Sequence, residues 1–164
     1  MGIFDKLFGG KKGKDTGCMP TRRLTFAFPP IPENGIRFAE QFREAVKENL
    51  NEDLDFSVET LKFADDFLQR FKDEGLSVND FAETIFVVGC YVGQVMVHNN
   101  GGVWIRQEDA NLAKGVSMMP IIIQLPNGVI TDPIGKAFKR FHNGEVDNLP
   151  YYHKVFTSER GEES

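Results

Sequence analysis

Cysteine and histidine are scarce in this chain, two and three residues respectively out of 164, and basic runs are confined to one end. His98, His142 and His153 are too far apart to form a helical metal pair. Neither Cys18 nor Cys90 has a second Cys or His at zinc-finger spacing, so no metal is expected. The two cysteines lie in dissimilar contexts and make no disulfide framework, which points to a reducing, cytoplasmic setting. No cofactor motif is present: the glycines of Asn100-Gly101-Gly102 follow a helical pattern instead of leading from a strand into one, the wrong order for a phosphate loop. The adjacent carboxylates Asp65-Asp66 and Glu108-Asp109 are expected to splay apart onto solvated surface, not to converge as an acid–base pair. No apolar segment reads as long enough to span a bilayer, and the N-terminus lacks a secretory signal.

Against these absences stand 15 phenylalanines and a hydrophobic fraction of 41%, enough to close one core in a chain of this length. The net charge of −5 is uneven. Residues 1–23 hold six Lys/Arg against two Asp, a surplus of +4, which leaves −9 on the remainder. So acidic a body argues against a nucleic-acid partner, whose binders carry basic stripes.

The pattern divides into a basic amphipathic leader (1–20), a single α+β domain (21–157) and a solvated tail (158–164). In the leader, Ile3, Phe4, Leu7 and Phe8 fall on one side of a two-turn helix, followed by the linker Gly9-Gly10-Lys11-Lys12-Gly13-Lys14. Apolar burial and lysine charge together suit peripheral contact of residues 1–14 with a partner groove or the anionic inner face of a membrane. Lys6 stands where N-myristoylation requires Ser or Thr.

Within the domain, Leu24, Phe26 and Phe28 alternate with polar or small residues over 22–28, the period of a half-buried strand that Pro29 and Pro30 end. Helical periodicity follows over 35–50 and from a Ser57 cap to about Glu74. Ser77 and Asp80 resemble a capping box ahead of a run over 78–98 that is apolar almost all round, and this predicts the central buried helix. Gly89 and Gly93, one turn apart, predict close approach of another backbone. Val103-Trp104-Ile105, Pro120–Leu125 and Val129–Thr131 predict an antiparallel meander, its last turn at Asn127-Gly128 and its first connection, 106–117, long and polar. Asp132-Pro133 opens a short helix that Asn143-Gly144 closes. Residues 150–156 read as a last strand or a docking segment. The expected architecture is α+β, three to four helices on a small antiparallel meander.

The segments Tyr91–Val95, Asn100–Trp104, Leu125–Gly128 and Asp132–Lys136 with Lys139–Gly144 together resemble a group of small uncharacterised bacterial α+β domains over roughly residues 54–156. The resemblance implies a bacterial, cytoplasmic protein and brings no catalytic residues. The leader is similar to the starts of various bacterial cytoplasmic proteins, among them the signal-recognition-particle receptor, but no GTPase motif follows it.

With no convergent catalytic set, the reading is a non-enzymatic protein-interaction module, an adaptor or immunity-like protein binding a protein partner through its acidic surface. Lys136, Lys139 and Arg140 form a local basic cluster that a partner's acidic surface would fit. The alternative is an enzyme or small-ligand binder with a pocket between the central helix and the meander, walled by Tyr91, His98, Trp104 and Arg106. His98 and His142 fall at helix C-termini, where a positive charge complements the helix dipole.

Overall fold

The computed structural model describes residues 17–112, 117 and 119–158. Five α-helices are present: α1 (Gly35–Leu50), α2 (Leu61–Asp73), α3 (Val78–Asn100), α4 (Pro133–Asn143) and α5 (Leu149–Thr157). Strands β1 (Val103–Arg106), β2 (Ile121–Gln124) and β3 (Ile130–Thr131) form one antiparallel sheet in the order β1-β2-β3, pairing Trp104 with Ile123 and Ile123 with Thr131.

The fold is organised around α3. Its capping box is formed as the sequence suggests: Ser77 Oγ accepts from the Asp80 amide and Asp80 Oδ2 accepts from the Ser77 amide, both at 3.2 Å. From Phe81 to Met96 nearly every side chain is buried, because α1 packs on one side of the helix and α4 on another. At 23 residues α3 spans about 35 Å and is, by length and composition, capable of crossing a membrane, so the expectation that no segment reaches that length is corrected. Its apolar surface is instead covered by the rest of the domain, with 83% of its most apolar window buried.

The two α3 glycines are where neighbours come closest. A Cβ on Gly89 would lie 2.5 Å from Ile134 Cα, so here a backbone does approach. At Gly93 the intruder is a side chain, the Trp104 indole, which also lies against Gly35 at the start of α1. Trp104 is thereby held between two helices, and its Nε1 donates to Gln94 Oε1 at 3.1 Å.

Several expectations need correction. Residues 22–28 turn Leu24, Phe26 and Phe28 toward the core in the expected alternation, but they form no strand. Their polar groups are met by α3: Arg22 donates to Glu83 and to the Asn79 carbonyl, and the Thr25 amide donates to Glu83. A segment hydrogen-bonded to a helix in this way keeps the two-residue burial period without a strand ladder. Ser57 does not cap α2 with its side chain; a 3-10 turn, Val58–Thr60, intervenes.

Residues 149–157 are helical, not extended. Asn148 Oδ1 accepts from the Tyr151 amide at 2.9 Å, Pro150 sits in the first turn, and Leu149, Tyr152, His153 and Phe156 recur at the spacing that buries one helical face. Among the described residues the α-helices therefore number five. Asp132 caps α4 as expected, its Oδ1 accepting from the Gly135 amide at 2.8 Å. The leader through Thr16 and residues 159–164 lie outside the described residues, and so do Ile3, Phe4, Leu7 and Phe8.

Candidate functional site

Most of the polar side chains that the fold buries are engaged with one another. Arg140 is 1% exposed and forms a bidentate ion pair with Asp65, Nε to Oδ1 at 2.8 Å and Nη2 to Oδ2 at 3.2 Å. It also donates to Gln69 Oε1, while Asp65 Oδ1 accepts from the Leu149 amide and so locks the start of α5. Asp65 and Asp66 do splay, as expected, but Asp65 is not solvated surface: α2 turns it inward because α4 offers a guanidinium there, and Asp66 pairs outside with Lys62. The basic cluster dissolves by the same token. Arg140 is buried and Lys136 is held by Asp147 at 2.6 Å, which leaves Lys139 as the exposed member; the three do not make a docking face.

The residues expected to wall one pocket are not all brought together: Tyr91 and His98 both lie against the Phe56 ring, whereas Trp104 meets α3 at Gly93. Tyr91 points toward α1 and the loop before α2, stacked on Phe56; its hydroxyl accepts from the Phe56 amide at 3.0 Å and bonds Thr60 Oγ1 at 2.7 Å. Burial pushes its phenol pKa up, against the pull of those hydrogen bonds. Trp104 meets α3 at Gly93, two residues on and so about 200° around the helix from Tyr91. His98 and Arg106 are exposed. In place of a convergent pocket, Tyr91 and Trp104 are two separate packing anchors.

Other buried groups are likewise satisfied locally. Tyr152 Oη shares a 2.5 Å hydrogen bond with Thr131 Oγ1, joining α5 to β3, and burial drives its phenol pKa up. His153 Nε2 bonds Asn100 Oδ1 at 2.9 Å, and burial lowers its pKa. Asp132 is raised by burial in spite of hydrogen bonds from the Gly135 amide and Ser117 Oγ. Cys90 is wholly buried and its thiol is pushed well up, the state of an inert packing residue. Among the described residues no group of three or more His, Cys, Asp and Glu is placed to hold a metal ion, and Nδ1 of His142 is buried without a hydrogen-bond partner.

Three surface grooves stand out among the described residues. A polar cleft of about 360 Å³ lies between Asn99, Asn127 and Thr157. An apolar groove of about 390 Å³ is walled by Met19, Leu24, Phe26, Phe86 and Met119, with exposed Arg23 at its edge. Its shape depends on the Arg22–Glu83 pair, bidentate at 2.6 and 2.7 Å, which fastens the 19–28 segment to α3. Burial works to raise the Glu83 carboxyl, but the hydrogen bonds from Arg22 and Thr25 outweigh it and hold it below its usual range.

The third groove, of about 470 Å³, lies between Ala27-Phe28 and the outer face of α1. Its floor is Phe28 and Ile36, the latter 44% exposed, and its edge carries Glu40 and Glu44. The nearest cation, Arg37, is turned onto the Phe28 ring at 4.3 Å and donates to Asn34. Glu40, Glu44 and Glu48 stand four residues apart and share one helix face; among the described residues only Glu40 has an ion-pair partner, Arg43 at 3.3 Å. Nothing in the sequence pattern singled out this groove, because its floor and its edge come from two separate segments.

Comparison with protein-family models, with characterised proteins and with solved structures finds no match.

Proposed function

We propose that the protein is a non-enzymatic interaction module that receives a basic segment with an apolar face, supplied by another protein, in the groove between residues 27–28 and α1. The observation that carries this reading is the exposed Ile36 beside the half-buried Phe28 ring, flanked by Glu40 and Glu44, with Glu48 continuing the acidic row. An apolar floor supplies affinity by losing contact with water, and a row of carboxylates supplies orientation and rapid capture of a cationic partner. The internal pairing of Asp65, Arg140, Tyr91 and Tyr152 supports the same reading, since those groups are spent on holding the fold. Binding stoichiometric enough to neutralise the partner, as an immunity-like protein does, would need no further chemistry.

The test is to tag the full-length protein in its native host, recover it gently and identify what accompanies it by mass spectrometry, in parallel with a Glu40→Lys, Glu44→Lys variant. A stoichiometric protein retained by the wild type and lost by the variant is the expected result. Clean monomer, or the same partner on both, overturns the proposal.

A further inference from the structure

The polar cleft of about 360 Å³ is framed by the ends of three elements: Asn99 and Asn100 at the C-terminus of α3, Pro126 and Asn127 in the turn between β2 and β3, and Phe156 and Thr157 at the C-terminus of α5. Each of its asparagines is oriented by one end of its amide, and the other end has no partner among the described residues. Asn99 Nδ2 gives away both hydrogens, to the Phe56 carbonyl at 2.7 Å and the Val95 carbonyl at 2.8 Å, which leaves Oδ1 as a fixed acceptor. Asn100 Oδ1 is held by His153 Nε2 at 2.9 Å and Asn127 Oδ1 by the Val129 amide at 3.0 Å, which leaves two oriented Nδ2 donors. The turn that carries Asn127 is itself fastened: the Leu125 amide donates to the Val129 carbonyl at 2.8 Å, and the Pro126 ring packs over Gly101, where an added Cβ would stand 3.1 Å from it. We propose that this cleft binds a small neutral saccharide.

The chemistry of the lining selects this class of ligand. No charged residue lines the cleft, so an ion would find no counter-charge there to offset its lost hydration. A hydroxyl both donates and accepts, and therefore answers the Asn99 acceptor and the Asn100 and Asn127 donors alike. A sugar offers such groups on neighbouring carbons without carrying a charge. Its rings also have an apolar C–H face, for which Phe156 and Pro126 supply the matching surface. The Phe156 ring is set in place by Tyr152, centroid to centroid 5.0 Å. The volume lies at the lower end of small-ligand clefts, which run from roughly 300 to 1,000 Å³, and so fits a small molecule and not a polymer chain. Because the fold already holds the three amides, binding orders few side chains that were free before. The cleft shares no lining residue with the acidic groove on α1, so it stands independently of the partner assigned to that groove.

The test follows the side-chain NH2 signals of Asn100 and Asn127 in ¹⁵N-labelled full-length protein during titration with glucose, galactose, mannose, N-acetylglucosamine, cellobiose and chitobiose up to millimolar concentrations. At least one of these sugars is expected to move both signals along a single saturable curve. Asn127→Asp keeps Oδ1 for the Val129 amide on an exposed turn and removes only the donor, so Asn100 in that variant should need about tenfold more sugar to saturate, the effect of losing one hydrogen bond. The Glu40→Lys, Glu44→Lys variant should titrate as the wild type does. Asparagine signals that no sugar moves overturn the proposal, as does equal saturation of Asn100 in Asn127→Asp. N-acetylalanine N-methylamide serves as a neutral amide without hydroxyls: signals moved by it and by none of the sugars assign the cleft to a peptide and overturn the saccharide class.

Discussion

Arg140 of α4 and Asp65 of α2, 75 residues apart in the chain, meet in a bidentate ion pair from which solvent is almost entirely excluded, with side-chain exposures of 2% and 3%. Asp65 extends the contact to the first amide of α5, so one carboxylate holds three helices in register.

Removal of Arg140 leaves the Asp65 carboxylate buried without its ion-pair partner, and removal of Asp65 leaves the buried guanidinium with only the largely exposed Glu145 at 3.3 Å. Asp65→Ala or Arg140→Ala is therefore expected to cost about 3–5 kcal/mol in urea unfolding, whereas replacing both by apolar residues of similar volume, Asp65→Leu with Arg140→Met, should recover most of it. A double variant no more stable than the singles would show that the polar network itself is required.

Gly89→Ala and Gly93→Ala test the close approaches on α3. Alanine is the better helix former by about 1 kcal/mol, so an open site would be stabilised. Here the added methyl meets the Ile134 backbone at position 89 and the clamped Trp104 ring at position 93, and a net loss of about 1–3 kcal/mol is expected from overpacking. Tryptophan fluorescence, which reports the single Trp104, should change for Gly93→Ala and not for Gly89→Ala.

Tyr91→Phe keeps the ring stacked on Phe56 and removes only the hydroxyl. The buried Phe56 amide then loses its acceptor, at a cost of about 1–3 kcal/mol measured by thermal or urea unfolding. If Tyr91 were part of a pocket for a small ligand, stability would instead be unchanged.

Asp132 gives a pH dependence of defined sign. Its folded-state pKa is raised above the usual carboxylate value by burial, so the folded protein binds this proton more tightly than the unfolded chain. The stability it contributes is fully present below about pH 4, the unfolded value, and is lost as pH rises through the folded one. Asp132→Asn retains an acceptor for the Gly135 amide without the charge, and Ser117 can accept where it now donates. The variant is expected to melt at or above the wild-type temperature at neutral pH, with that advantage shrinking in acid; a large loss at neutral pH would mean that the carboxylate charge is needed.

The amino-acid sequence by itself determined the features that depend on neighbours three or four residues away. The helix over 35–50, the central helix expected over 78–98 and found to run to Asn100, the Ser77–Asp80 box, the Asp132-Pro133 start of α4 and the order of the meander all follow from periodicity and local hydrogen bonding. Short apolar runs were less decisive. Residues 22–28 carry a strand period but lie on a helix, and 149–157 became a helix because Asn148 and Pro150 start one and Asp65 holds its first amide.

Which polar side chains turn inward was decided only by the tertiary structure. Lys136 and Arg140 read as a surface cluster because nothing within a turn of them announces Asp147 across the next loop or Asp65 seventy-five residues back. Tyr91 and Trp104 read as walls of one pocket because their separation around α3 emerges only when Tyr91 packs on Phe42 and Phe56 while the Trp104 ring wedges between Gly93 and Gly35. The acidic groove and the apolar groove are likewise products of packing, each assembled from segments that share no local pattern. Burial is a property of the pair of surfaces that meet, and a single segment carries only half of that information.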